Sequence, residues 1–297
     1  MSFPASPFGN MVTAMITPFK ADGTLDLAGA EKLANYLVDL GNDGLVINGT
    51  TGESATTTEE EKNNLLSAVI GAVGDRAKVI AGVGSNDTAH TMMLAKDAER
   101  IGADAILVVT PYYNKPTQAG LIAHFKSVAD ICGLPMMMYD IPGRSVVPIE
   151  VDTMLKLAEH PRIMANKDAK NNFEAASRVI TNSNLQWFSG EDILNLPLLT
   201  IGAVGCVSVV GHVAADRIKK MMGLYFDGDV SGATKMHKEL TPVYYGVMGK
   251  MPGVMSVKAF LNIKNLPAGD PRLPLVAADE AQKAELVQSL RAGGIEI

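Results

Sequence analysis

Apolar and polar positions along this chain follow two rhythms in turn. Short apolar runs rich in β-branched residues end near Thr17, Asn48, Gly82, Val109, Tyr139, Lys167, Ser189 and Ser208. A polar or glycine-containing loop follows each run, and then a stretch with helical spacing. The run ends lie about 19 to 34 residues apart, the length of one strand-helix unit, and no series of hairpin turn signals interrupts them. Eight such units predict an α/β fold, a closed (β/α)8 TIM barrel over residues 1–228, with an open doubly wound sheet as the alternative. Helix starts are marked too. Thr58-Glu59-Glu60-Glu61 reads as a capping box, and Asn86-Asp87 precedes an alanine- and methionine-rich helix that runs to about Arg100.

After Asp227-Gly228-Asp229 the strand rhythm stops. Helical spacing follows at about 231–250, 254–264 and 279–292, punctuated by Gly253 and the proline-rich stretch from Leu266 to Pro274. Residues 229–297 are therefore predicted to form a C-terminal helical domain packed on the barrel.

Composition narrows the function. With 297 residues and 47% hydrophobic side chains, the chain can bury a large core. A formal charge of −6 and a pI near 5.4 leave no basic excess to displace counterions, which argues against nucleic acid or an anionic membrane as partner. Cys132 and Cys206 form no CxxC pair or disulfide framework, which suits packed thiols in a reducing compartment. The stretch Met1 to Pro7 has neither a basic region nor an apolar core, and no later run approaches the ~18 apolar residues needed to span a bilayer. The expectation is a cytoplasmic protein that handles small molecules.

The candidate chemistry centres on Arg162-Ile163-Met164-Ala165-Asn166-Lys167-Asp168. With period-2 alternation, Ile163, Ala165 and Lys167 share one face, which puts an ammonium at the carboxyl end of an apolar row. Such a lysine either reaches solvent through its stem or is used. In a barrel, active sites form at the carboxyl ends of the strands. Lys167 then shares one mouth with Tyr139, with Asn48-Gly49-Thr50-Thr51-Gly52-Glu53-Ser54 and with Pro111-Tyr112-Tyr113-Asn114. An amine stripped of water there has a lowered pKa and becomes a nucleophile towards carbonyl carbon, the chemistry of a Schiff base. Tyr139 and the Thr51 hydroxyl are candidates for moving protons, although Tyr139 also fits as a plain barrel-lining aromatic. The Gly49-to-Gly52 run suits either a backbone nest for an anion or a turn that caps the next helix. Arg144, in Pro142-Gly143-Arg144, is placed to fork onto a carboxylate or simply to be solvated.

Other signals fail. Gly82-Val83-Gly84 lacks the third small residue of a dinucleotide fingerprint, and no phosphate-binding GK[ST] occurs. His90, His124, His160, His212 and His237 are scattered without ligand spacing, so no metal and no cofactor are expected. The sixteen methionines read as core filler.

The run Gly49-Thr50-Thr51-Gly52-Glu53-Ser54, the run from Thr110 to Pro116, the segment from Tyr139 to Arg144 and Lys167-Asp168-Ala169 resemble the dihydrodipicolinate synthase and N-acetylneuraminate lyase family. These are pyruvate-dependent class I aldolases, (β/α)8 barrels with a C-terminal helical extension. The resemblance runs from about Gly9 to the C-terminus. It implies that Lys167 forms the imine with pyruvate and that Tyr139, Thr51 and Tyr113 form a proton relay, with Tyr113 donated by a neighbouring subunit. Thr50 and Thr51 would take the pyruvate carboxylate, and Gly190 and Val207 would line the pocket. Arg144 would receive the carboxylate of L-aspartate 4-semialdehyde, as on the synthase side of the family. A homotetramer built as a dimer of dimers is implied as well.

A sugar-acid lyase of the same family, or a sensor that keeps the pocket without catalysis, are the alternatives. Asn166 stands where an apolar residue is usual, and Asp168 where many members have glutamate. Lysine-inhibited relatives use a histidine-rich acidic pocket whose matching positions here are Glu59, Lys62 and His90, so the resemblance does not carry lysine inhibition across.

Overall fold

The computed structural model describes residues 3–297. Eight strands, β1 (Met11–Ala14), β2 (Gly44–Ile47), β3 (Lys78–Gly82), β4 (Ala105–Val109), β5 (Met136–Asp140), β6 (Ile163–Asp168), β7 (Gln186–Ser189) and β8 (Gly205–Ser208), form one closed parallel barrel. Each strand pairs with the next, and β8 closes on β1 through Met11 to Thr13. The predicted barrel is thus the observed fold, and the open sheet is excluded.

Helices return each strand to the next: α1 (Leu27–Asp39), α2 (Glu59–Val73), α3 (Thr88–Ile101), α4 (Gln118–Ile131), α5 (Pro142–Ser145), α6 (Val151–Ala158), α7 (Phe173–Asn182), α8 (Asn195–Leu199) and α9 (Gly211–Phe226). Three more, α10 (Val230–Met248), α11 (Gly253–Ile263) and α12 (Glu280–Ala292), follow. Their starts obey local chemistry. Thr58 and Glu61 make the predicted reciprocal capping box on α2, and the Asp87 side chain accepts from Ala89 N at the start of α3.

Two apolar layers result from the pleat. Inside the barrel, Val12, Val46, Ile80, Leu107, Met137 and Phe188 pack together. Phe8, which precedes β1 and is fully buried, closes the amino end with its ring edge-on to Phe188 at 5.9 Å. The opposite strand faces pack under the helices.

Two expectations need correction. Ile163 does not share the face of Lys167. Met136 pairs with Ile163 but Met137 with Ala165, so Met164 is an extra residue that flips the pleat. Ile163 then packs in the outer layer while Ala165 lies inside. β1 also ends at Ala14, not near Thr17, because the N–H of Ile16 turns out of the ladder to donate to His212 Nε2 at 3.1 Å.

The C-terminal segment is tied to the barrel mouth. Lys258 of α11 and Glu53, both almost wholly buried, form an ion pair at 2.7 Å, and Lys258 Nζ also donates to Asp270 O at 3.1 Å. Arg272 donates its backbone N–H to Glu53 Oε2 at 2.8 Å and engages Glu61, Thr56 O and Gly23 O with its guanidinium.

Two buried histidines bear on stability. His212 accepts from Ile16 N on Nε2 and donates from Nδ1 to Val209 O at 2.8 Å, so a second proton would face an N–H. Burial lowers the pKa of His212, and separately that of His124, to about 4. Between pH 6.5 and 4 the unfolded chain binds protons that the folded chain refuses, so stability is full above 6.5 and is lost as pH falls through that window. We expect a loss on the order of 2 to 3 kcal/mol per ring by pH 4. Urea unfolding of the parent and His212→Asn across this range checks it, with a shallower pH dependence in the variant.

Candidate active site

Lys167 is the last inward-facing residue of β6, 5% exposed, with its ammonium 4.1 Å from the centroid of the Tyr139 ring on neighbouring β5. Burial among apolar barrel walls brings its pKa down to about 8, against the pull of Asp192 and Glu191 towards the charged form. Roughly a tenth of the amines are then neutral at pH 7, far more than for a solvated lysine. Burial also raises the Tyr139 phenol, partly offset by Arg144. Gly190 makes room for the stem: a Cβ there would lie 3.1 Å from Lys167 Cγ and Cε and 2.9 Å from Asp168 O. Val207, on β8, belongs to the same interior layer as Tyr139.

The carboxylates behind this amine went unread in the sequence. Asp192 is 4% exposed and accepts from the N–H groups of Val209 and Val210, each at 3.0 Å, and from the Ser208 hydroxyl. It therefore locks the turn after β8 to the turn after β7 while facing Lys167. Burial and Asp192 together raise the pKa of Glu191 beside it. Two adjacent acids directly after the end of β7 were the available signal.

At the carboxyl ends of the strands, a cavity of about 340 Å³ is lined by Thr50, Tyr112, Ile141, Arg144, Arg272 and Leu275, among others. Thr50 and Arg144 thus meet at one opening, whereas Lys167, Tyr139 and Thr51 are not part of its wall. The backbone N–H groups of Thr50, Thr51 and Gly52 find no protein acceptor among the described residues, and Thr58 caps α2. The Gly49-to-Gly52 run therefore leaves three N–H donors open and does not cap α2. Asn48 and Glu53, which flank it, hold φ of 61° and 56°, backbone strain concentrated at the site.

The two arginines at the opening differ. Arg272 is saturated by Glu61 and by carbonyls, whereas the Arg144 guanidinium makes no hydrogen bond or ion pair among the described residues. Only Arg144 is free to take an anion. Tyr113 stands apart, 87% exposed with φ of 74°, and does not join Lys167 within this chain.

A second opening of about 370 Å³ lies outside the barrel near Lys170 and Glu174 and contains no barrel-lining residue. No group of three or more His, Cys, Asp or Glu side chains suited to a metal ion occurs among the described residues. No described helix is long and apolar enough to cross a membrane. Asn166 lies fully buried on the outer face of β6, and its amide has no hydrogen-bond partner among the described residues, at a cost to stability. Of the positions compared with the feedback pocket, His90 and Glu59 approach to 3.4 Å and Lys62 donates to Thr57 O at 2.5 Å.

The model of the dihydrodipicolinate synthetase family matches residues 7–293. The chain belongs to this family. Among relatives of the family, the 4-hydroxy-tetrahydrodipicolinate synthase 2 of Streptomyces coelicolor is 55% identical over 296 residues, covering 100% of this chain and 99% of that protein. A 4-hydroxy-tetrahydrodipicolinate synthase of Acidothermus cellulolyticus is 56% identical over 289 residues, 97% of this chain and 94% of that one. The crystal structure of the Cyanidioschyzon merolae enzyme with lysine bound superposes with a TM-score of 0.96 at 37% identity, over 98% of this chain and 100% of that one.

Removing the Asp192 charge takes away the largest influence holding the Lys167 proton on. In Asp192→Asn the lysine pKa should fall further below about 8, and the pH midpoint for reductive trapping of a small carbonyl compound on Lys167 should fall with it. A midpoint at or above that of the parent would contradict this assignment.

Proposed function

We propose that this chain is a 4-hydroxy-tetrahydrodipicolinate synthase, condensing pyruvate with L-aspartate 4-semialdehyde through an imine on Lys167. The observation that carries the reading is the amine itself, buried against Tyr139 and with its pKa lowered to about 8. Full-length relatives bearing that name support it.

The neutral Lys167 amine adds to C2 of pyruvate, and loss of water from the carbinolamine leaves the imine. The iminium nitrogen then draws the electron pair released when a proton leaves C3, and the resulting enamine carbon bonds to the aldehyde carbon of the semialdehyde. The amino group of that second substrate attacks the imine carbon in turn, closes the ring and frees Lys167. Each step moves protons and electron pairs between the two substrates and the lysine, so no cofactor and no metal are needed. Tyr139, Thr51 and Tyr113 carry the protons. Thr50 and Thr51, with the free N–H groups of their nest, take the pyruvate carboxylate. Gly190 and Val207 line the pocket.

Arg144 selects within the family. An unpaired guanidinium at the opening suits a short aldehyde with its own carboxylate better than a polyhydroxylated sugar acid. The exposure of Tyr113, apart from Lys167 of its own chain, supports its reaching into the site of a neighbouring copy. The working assembly is then at least a dimer, and a homotetramer of two such dimers in the cytoplasm.

Lys167→Ala should keep the barrel folded and lower kcat by at least about 10⁴-fold. Borohydride with pyruvate should add the mass of the reduced adduct to the parent only. Normal kinetics in the folded variant, or parent activity confined to sugar-acid cleavage, would overturn the reading. Tyr113→Phe should slow turnover, and mixing it with Lys167→Ala subunits should recover activity beyond that of either alone, because intact sites form across the interface.

A further inference from the structure

Arg144 sits on a loop that is closed behind it by two charged residues on the outer side of the barrel. Asp140, the last residue of β5, is fully buried. Its Oδ1 accepts from the N–H of Ile149, nine residues on, at 3.2 Å. Lys170, just past β6, lies 3.0 Å from Asp140 Oδ2 as an ion pair and donates to Ile149 O at 2.8 Å. One pair of side chains thus holds both backbone polar groups of Ile149. Lys170 is itself pinned, since its backbone N–H donates to Asp168 Oδ1 at 2.8 Å and Asp168 Oδ2 accepts from Trp187 Nε1 at 3.1 Å.

The loop enclosed by this clamp is strained. Val146 has φ of 70° and ψ of −45°, a conformation that a β-branched residue adopts only where the surroundings enforce it. Within the loop the Ser145 hydroxyl donates to Ile141 O at 3.0 Å, which fixes the turn that carries Arg144. Gln118 of α4 holds the far side, donating to Pro148 O at 2.9 Å and accepting from Glu150 N at 3.1 Å. Neither Asp140 nor Lys170 lines the cavity that Arg144 faces.

We infer that Asp140 and Lys170 are positioning residues that set the reach of Arg144, and thereby the affinity for the carboxylate of the aldehyde substrate. The inference rests on the role given to Arg144 above. It separates two affinities that a general loss of structure would lower together, because pyruvate is captured by Lys167 and the Thr50 run and not by Arg144.

The test uses the full-length protein and two kinds of measurement. In Lys170→Met, and independently in Asp140→Asn, amide hydrogen exchange over residues 141–149 should quicken while exchange in β5 and β6 stays as in the parent. In the same variants the KM for L-aspartate 4-semialdehyde should rise about tenfold or more, approaching that of Arg144→Ala, with the KM for pyruvate and the yield of borohydride-trapped adduct unchanged. Lys170→Arg, which keeps the ion pair, should restore most of the lost affinity. Unchanged exchange overturns the clamp. Faster exchange with unchanged KM for the semialdehyde, or an equal rise in both KM values, overturns its role in affinity. If the parent forms no pyruvate adduct, the proposed function falls, while the exchange measurement still judges the clamp.

Discussion

The structure turns on one unfavourable transfer: an ammonium is taken out of water and held inside a cylinder of apolar strands. Alone, that transfer would lower the lysine pKa further. Asp192 and Glu191, brought in by the turn after β7, oppose it, and the balance settles near pH 8. At that value a usable fraction of the lysine is free amine under ordinary conditions, with the lone pair that a nucleophile needs. Asp192 is held in place by hydrogen bonds from the turn after β8, so the electrostatic balance is built into the backbone of two neighbouring loops and not left to a mobile side chain.

Much of this was legible in the chain. The eight strands, the capping box at Thr58, the three C-terminal helices and the meeting of Lys167 with Tyr139 follow from local periodicity and short motifs, and local periodicity is what barrels repeat. The misreadings have equally physical origins. A bulge at Met164 inserts one residue and breaks the period on which the placement of Ile163 depended. Asp192 acts through hydrogen bonds to Val209 and Val210, and such pairing across sequence distance leaves no local pattern. The same holds for Arg272, which reaches Glu53 and Glu61 from more than two hundred residues away.

Of two guanidiniums at one opening, one is spent on structure and the other left free. Arg272 gathers the loop after β1, the loop after β2 and the C-terminal segment into one wall, where its charge is balanced within the chain. Arg144 has no such balance and therefore confers on the opening a preference for anions. Identity of residue type would not have separated them. Only the count of acceptors around each does.

The aromatic seal at the amino end of the barrel has a consequence for the stretch before the first strand. Phe8 is fully buried and packs edge-on to Phe188, so the foot of the cylinder is stoppered by a ring that lies outside any strand. That stretch is therefore part of the core and not a dispensable tail, and trimming the chain past Phe8 would uncork the barrel.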